Sequence, residues 1–228
     1  MKNNPLKNAF RDSLPVLSGY IVLGIGFGIV LEKNGYGVLY SFLMSLLIYA
    51  GSMQYASVEL IAAAASLPLV ALTTLMVNAR HLFYGISMID KYKGAGIKKP
   101  YMIFALTDET YSLTCYTKYE DEKERHLYCF LVSLFNHCYW VTGCVAGSLI
   151  GSALPFDTRG IEFSMTALFV TVFAEQWLGT KKHLPAIAGL AASFVCLVVF
   201  GKDNFLIPAM VIILVALGFM KDRVKNDE

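Results

Sequence analysis

Charged side chains are scarce in this sequence. They account for 16% of its 228 residues, whereas about a quarter of the residues in an average soluble domain are charged. The formal net charge at pH 7 is only +2. A chain so close to neutrality lacks the basic surface by which proteins bind nucleic acids. We therefore expect no nucleic-acid partner.

Cysteine pairs and catalytic motifs are missing as well. None of the five cysteines belongs to a C-x-x-C pair, and no cluster of residues has metal-ligand spacing. The sequence contains no H-E-x-x-H, no G-x-S-x-G and no P-loop motif. These absences argue against an enzyme and predict no cofactor. Any transport by this chain has to be driven by a gradient or by another protein.

Long apolar segments are abundant in this sequence. Hydrophobic residues make up 56% of it, the mean hydropathy is +0.55, and a membrane span needs about 20 mainly apolar residues. The candidate segments are 14–31, 39–67, 68–89, 101–117, 127–150, 161–178, 184–200 and 205–220. They predict an all-α, polytopic integral membrane protein with about seven to eight helical segments. No room remains for a soluble domain, so we expect one transmembrane domain over residues 1–228.

The second apolar segment is interrupted near its middle. Gly51, Ser52, Met53 and Gln54 concentrate small and polar residues there. A helix that breaks at this point frees backbone groups that lipid cannot satisfy, so the break has to face protein or a water-filled cavity. Broken helices commonly form substrate sites in transporters. The alternative is an unbroken helix in which the glycine packs against a neighbour and the glutamine makes an interhelical hydrogen bond.

Similar features recur in the second half of the chain. Glu175 and Gln176 in the sixth segment resemble the earlier interruption, because in both places a glutamine follows small residues and precedes an aromatic one. A glycine-striped segment precedes each interruption, and a Leu-Pro pair follows each. This order predicts an internal repeat of residues 14–90 and 127–200, joined by a linking helix at 101–117.

Basic residues favour re-entrant second and sixth segments. With the amino terminus inside, that arrangement places thirteen lysines and arginines in the cytoplasm and five outside, with Arg80 in the membrane. Eight simple spans would give eleven inside and seven outside. The excess of positive charge in cytoplasmic loops therefore favours the re-entrant version, in which the two repeats are inverted.

An arginine lies within the third apolar segment. Arg80 is followed by His81, and Asn78 and Tyr84 lie within about one helical turn of it. An arginine at mid-bilayer costs roughly 2.5 to 3.5 kcal/mol on insertion scales, and such residues usually serve function. The alternative is a side chain that reaches the membrane surface.

Acidic residues in other segments could neutralise this arginine. We hypothesise that Asp108 or Glu109 in the fourth segment, or Glu175 in the sixth, is its partner. For the two acids of the fourth segment, a position in an interfacial loop is the alternative. Asn136, four residues before Trp140 in the fifth segment, adds an amide to the same predicted polar interior.

Four motifs together resemble the AzlC-type branched-chain amino acid permease family. They are the Gly51 to Gln54 run, the N-x-R-H-x-x-Y-G run that begins at Asn78, the T-D-E run that contains Asp108 and Glu109, and the Asn136 element with its trailing glycines. The resemblance covers nearly the full length of the chain. Each motif alone would be weak, and their combination is specific.

The resemblance implies export of leucine, isoleucine and valine, and sometimes methionine, across a bacterial cytoplasmic membrane. It also implies a partner, a small AzlD-like membrane subunit. The rival functions are a channel or transporter for another small polar solute and a membrane scaffold that transports nothing.

For a zwitterionic substrate we expect Arg80, or a half-helix amino terminus at the second-segment break, to receive the carboxylate. Asp108 or Glu109 would receive the ammonium group, and Met53, Phe83 and Tyr84 would line an apolar pocket. The predicted substrate-binding residues are Gly51, Ser52, Met53, Gln54, Asn78, Arg80, Tyr84, Asp108 and Glu109. The predicted coupling or gating residues are His81, Glu175, Gln176 and Asn136.

Overall fold

The structure is a computed structural model in which all regular secondary structure of the described residues is helical. It describes residues 4–115, 117, 119–153, 170, 173–174, 177–178, 183–201, 205, 208–209, 211–213 and 215–216. The chain divides into two compact units, Met1–Thr166 and Ala167–Glu228. The expected all-α class is confirmed.

The first unit contains eight of the described α-helices. They are α1 (Pro5–Lys33), α2 (Val38–Leu47), α3 (Gly51–Ala62), α4 (Leu67–Val77), α5 (Ala79–Met88), α6 (Lys99–Phe104), α7 (Asp108–Thr114) and α8 (Glu122–Ala153), with a 3-10 turn at Gly96–Lys98. The second unit contributes α9 (Leu184–Phe200), whose bounds agree with the seventh predicted segment.

Among the described residues, two helices are long and apolar enough to cross a membrane by themselves. They are α1, with 29 residues, and α8, with 32. At 1.5 Å per residue each exceeds about 40 Å, more than the roughly 30 Å of hydrocarbon in a bilayer. Helices α4 and α5 together would make a third span, bent by 46°. The membrane character of the chain is thus confirmed, while the number of spans stays a prediction.

Glycines bring α1 and α8 into direct backbone contact. A Cβ atom added at Gly24 would lie 2.9 Å from the backbone nitrogen of Cys144, and one added at Gly143 would lie 2.9 Å from the carbonyl oxygen of Tyr20. Gly28 and Gly147 are packed as tightly against the opposite helix. Without a hydrophobic driving force in lipid, such close contact of small residues is what holds helices together. This pair forms the frame around which the shorter helices of the unit are arranged.

The second segment is broken, as predicted, between α2 and α3. Tyr49 lies in the break with a φ of 46°, a conformation that strains a residue with a side chain. Its ring packs 4.2 Å from that of His137 on α8. The Nε2 atom of His137 donates a hydrogen bond of 3.2 Å to the carbonyl of Ser45. Helix α8 therefore satisfies a backbone group that the break has released from α2.

Two further breaks interrupt the third and fourth segments. Asn78 separates α4 from α5, and residues 105–107 separate α6 from α7. Thr107 caps α7 by accepting a hydrogen bond of 3.4 Å from the backbone N–H of Thr110. The prediction of a continuous third helix was wrong: Arg80 lies in the first turn of α5. In place of the single linking helix predicted at 101–117, the structure has two short helices, α6 and α7.

The second half of the proposed repeat is described only in part. Its first helix is α8 and its last is α9, but Glu175 and Gln176 lie outside the described residues. The repeat and the re-entrant sixth segment therefore stay predictions.

Labelling of the loop between α5 and α6 tests the re-entrant arrangement. Ile97 is 96% exposed, whereas Ala95 beside it is 8% exposed, so Ile97→Cys is the suitable probe. We expect a membrane-impermeant maleimide to label this variant only after cells are permeabilised, because the loop is predicted to be cytoplasmic. Asn34→Cys, in the exposed α1–α2 connection, should react in intact cells, and the wild-type chain gives the background. Reaction of Ile97→Cys in intact cells would reject the re-entrant arrangement.

Candidate functional site

The three helix breaks of the first unit meet at one arginine. The Nη1 atom of Arg80, in the first turn of α5, lies 2.6 Å from Oδ2 of Asp108, at the start of α7. Its Nη2 atom donates a hydrogen bond of 3.2 Å to Oγ of Ser52, in the first turn of α3. Of the proposed partners that the structure describes, Asp108 and Glu109, it is Asp108 that pairs with the arginine; Glu175 lies outside the described residues. Each break places one member of this group at a helix start.

Two of these helix starts have no side-chain cap. Neither Ala50, which precedes α3, nor Asn78, which precedes α5, makes a side-chain capping hydrogen bond. The first N–H groups of an α-helix have no partner within the helix, and the helix dipole adds partial positive charge there. Helices α3 and α5 thus provide two anion-attracting ends beside the guanidinium of Arg80.

Glu109 points away from the ion pair towards α1. Its Oε2 atom accepts a hydrogen bond of 2.6 Å from the hydroxyl of Tyr20. The same hydroxyl lies 2.8 Å from Oγ1 of Thr107, which donates 3.1 Å to the hydroxyl of Thr110. The Nδ2 atom of Asn136 on α8 also donates to Thr110, at 3.0 Å. We call this line of contacts, from Glu109 to Asn136, the hydroxyl chain.

A tryptophan on α8 fixes the beginning of α3. The Nε1 atom of Trp140 donates a hydrogen bond of 2.9 Å to Oε1 of Gln54, which is fully buried. A Cβ atom added at Gly51 would lie 3.1 Å from the Trp140 ring. The small residue at the break is therefore needed for the close approach of the indole. Trp140 and Asn136, four residues apart on one face of α8, both contact the broken helices.

Several buried polar atoms around these breaks have no hydrogen-bond partner within the described residues. The donors are Nε2 of Gln54 and Nε of Arg80, the acceptors are Oδ1 of Asp108 and Oδ1 of Asn136, and the hydroxyl of Tyr49 can act as either. Buried polar groups are nearly always paired in proteins. Five such atoms near three helix ends therefore indicate a place that receives a polar ligand or water.

The ion pair is accessible despite its surroundings. The Arg80 and Asp108 side chains retain 27% and 33% of their exposure, so a small molecule can reach them. Within the described ranges, no group of three or more His, Cys, Asp or Glu residues could hold a metal ion. The chemistry available at the site is recognition by charge and hydrogen bonds.

The remaining predicted site residues that the structure describes lie on the edge of this group, whereas Glu175 and Gln176 lie outside the described residues. Nδ1 of His81 lies 3.3 Å from the Asn78 carbonyl, and the ring of Tyr84 stacks on that of Tyr111 at 4.5 Å. Met53 is buried in the first turn of α3, whereas Phe83 is 71% exposed. Phe83 is thus turned away from the interior, against its expected place in an apolar pocket.

Sequence reasoning missed two members of the site. Tyr20 joins α1 to Glu109 across 89 positions of sequence, and Tyr49 occupies the break itself. A tyrosine among glycines and apolar residues resembles an ordinary packing or interfacial aromatic, so nothing in the local sequence distinguishes Tyr20. The non-glycine left-handed conformation of Tyr49 likewise has no signature in the sequence.

Comparison with known proteins places the chain in a family. The family described as AzlC protein matches residues 15–154, a range that includes all three breaks and α8. The chain belongs to the AzlC family. It is 42% identical to the "Branched-chain amino acid transport protein AzlC" of Bacillus subtilis, over 97% of this chain and 87% of that protein.

Other relatives of this AzlC-family chain are membrane proteins. It is 44% identical to a membrane protein of Haemophilus influenzae, over 92% of this chain and 88% of the relative. It is 27% identical to the "Inner membrane protein YgaZ" of Escherichia coli, over 91% and 85% of the two chains. No solved structure matches the chain significantly. The name of the Bacillus subtilis relative, which specifies transport, agrees with the expectation that this chain is not an enzyme.

Proposed function

We propose that this protein is a secondary transporter that exports branched-chain amino acids, namely leucine, isoleucine and valine, and also methionine. The observation that carries the proposal is the accessible Arg80–Asp108 ion pair at three helix breaks. The Bacillus subtilis relative, whose name specifies branched-chain amino acid transport, supports the choice of substrate.

The polar groups at the breaks complement a zwitterion. A substrate carboxylate needs donors, and Arg80, Gln54 and the starts of α3 and α5 provide them. A substrate ammonium group needs acceptors, and Asp108, Asn136 and Glu109 provide these. When substrate binds, the Arg80–Asp108 ion pair can separate. Arg80 then pairs with the substrate carboxylate, and Asp108 pairs with the substrate ammonium group. The predicted substrate-binding residues Gly51, Ser52, Asn78 and Tyr84 belong to or border the same breaks.

Such a site accepts amino acids with different apolar side chains. Met53, beside the break and buried, offers a flexible thioether side chain that adapts to differently branched ligands. An apolar pocket distinguishes one methylene group by only about 1 to 3 kcal/mol. Leucine, isoleucine, valine and methionine should therefore all be accepted, with affinities that differ by small factors.

The remaining parts of the proposal concern energy, location and assembly. Transport is driven by an ion gradient, with His81, Asn136, Glu175 and Gln176 as the coupling or gating residues. The chain is a multi-pass protein of the bacterial cytoplasmic membrane and works with a small AzlD-like membrane subunit. The long apolar helices and the membrane-protein relatives support this location.

Export of labelled leucine from cells tests the proposal. Cells that express the chain together with its small subunit should lose preloaded leucine faster than cells that express either chain alone. Unlabelled valine and methionine should compete, whereas lysine should not, because its second ammonium group has no place in an apolar pocket. Equal leucine loss with and without the chain would reject the proposed function. Loss that is not saturable would instead indicate a channel.

A further inference from the structure

Glu109 is an acid without a cationic partner in the part of the chain that the structure describes. Its neighbour Asp108 pairs with Arg80, whereas Glu109 accepts a hydrogen bond from Tyr20 and forms no ion pair within the described ranges. The titratable groups that face it are Tyr20 on α1, Tyr49 between α2 and α3, Tyr84 on α5 and Asp108 beside it. None of them is positively charged. A carboxylate in this setting lacks a countercharge.

Counting protons shows that the hydroxyl chain can run in two directions. Tyr20 donates its only hydroxyl proton to an ionised Glu109, and the Tyr20 and Thr107 oxygens lie 2.8 Å apart, a hydrogen-bond distance that requires a proton between them. With Glu109 ionised, Thr107 supplies that proton, and Thr110 supplies its own proton to the 3.1 Å contact with Thr107. All three hydroxyl protons then point towards the carboxylate.

A proton on Glu109 reverses the chain. The carboxyl group then donates to Tyr20, Tyr20 donates to Thr107, and Thr107 donates to Thr110, as its hydroxyl is oriented in the structure. When Glu109 loses that proton to water, the three hydroxyl protons turn back towards the carboxylate. The protonation state of Glu109 is thus communicated through the chain to Thr110, the hydrogen-bond partner of Asn136.

We propose that Glu109 is a proton-binding site and that the proton and the ammonium group of the amino acid compete for it. This inference rests on the proposed function for the identity of the second ligand. Either cation supplies the missing countercharge, and one carboxylate cannot hold both. Alternate occupation from the two sides of the membrane exchanges one proton for one amino acid, which drives export when protons are more concentrated outside.

Competition at one carboxylate has a quantitative signature. While Glu109 is protonated in the free protein, each unit decrease in pH should weaken leucine binding about tenfold, because one proton leaves for each leucine bound. Glu109→Gln should bind leucine about tenfold or more weakly than the wild-type protein at high pH, since the charge-assisted contact is lost. Its affinity should no longer depend on pH. Glu59→Gln, an exposed position on α3, is the matched control and should keep the wild-type slope.

Two measurements on the full-length protein in membranes test the proposal. The first is leucine binding as a function of pH for the wild-type protein, Glu109→Gln and Glu59→Gln. A wild-type affinity that does not change with pH, or a slope that persists in Glu109→Gln, overturns the competition.

The second measurement does not need a substrate. Infrared difference spectra between acidic and alkaline pH should contain a carboxylic-acid C=O band in the wild-type protein and in Glu59→Gln, and Glu109→Gln should lack it. If the band is unchanged in Glu109→Gln, Glu109 is not the proton site. If the band behaves as expected but leucine does not bind at any pH, the proton site stands and the proposed substrate fails.

Discussion

Arg80→Ala is expected to reduce leucine export about 10- to 100-fold. The guanidinium joins α5 to α3 and α7 at the breaks, through Ser52 and Asp108, and it is the main donor for a substrate carboxylate. A hydrogen bond to a charged group is worth about 1.5 to 3 kcal/mol, and each 1.4 kcal/mol is about tenfold in affinity. Initial rates of labelled leucine export, normalised to the amount of protein in the membrane, measure the effect.

Three further variants separate recognition from folding. Lys33→Ala removes a basic residue at the end of α1 and should leave export near the wild-type rate. Arg80→Lys keeps the charge but loses the planar, two-pronged contact, so its rate should be intermediate. The double variant Arg80→Ala/Asp108→Ala removes both charges of the pair, so neither is left without the other. It should recover the amount of folded protein without recovering export. If Arg80→Ala and Lys33→Ala transported equally well, Arg80 would have no part in recognition.

Gly147→Leu should prevent accumulation of the folded protein. A Cβ atom at this position would overlap the backbone of Ile25 on α1, and backbone atoms of two long packed helices cannot move aside as a flexible side chain can. Overpacking usually costs about 1 to 3 kcal/mol, occasionally more, and in lipid this packing is itself the main attraction between the helices. Size-exclusion chromatography of detergent extracts at increasing temperature measures the loss.

Gly19 provides the matched control for this substitution. It lies on α1, the helix against which Gly147 packs, and a Cβ atom there has no neighbour within 4 Å. Gly19→Leu should therefore elute as the wild-type protein does, and Gly147→Ala should lie between the two leucine variants. A Gly147→Leu protein as heat-resistant as Gly19→Leu would show that α1 and α8 are not held together by this contact.

The long elements of the fold could be predicted because apolar length determines them. Helix α9 begins and ends where its apolar run does, at Leu184 and Phe200, and the cluster of small and polar residues at 50–54 marked the start of α3. The break at Asn78 could not be found in this way. Apolar residues continue on both sides of it, and one asparagine also fits an unbroken helix whose amide bonds to a neighbour.

The ion pair of the site could be predicted from the sequence, whereas the hydroxyl chain could not. A membrane arginine has to find a carboxylate, and few acids lie inside apolar segments, so Asp108 was among the expected partners of Arg80. The link between Tyr20 and Glu109 depends on the angle at which α7 leaves its break and on the contact of α1 with α8. Both are properties of tertiary packing, and neither leaves a local pattern in the sequence.

The contact between Arg80 and Asp108 also limits what this pair contributes to voltage sensitivity. A lone charge that crosses the bilayer field experiences about 2.3 kcal/mol for each 100 mV. A guanidinium and a carboxylate 2.6 Å apart sum to zero, so the field exerts almost no net force on them when they move together. Any voltage dependence of the protein's rearrangement therefore comes from charges other than this pair, such as the carboxylate of Glu109.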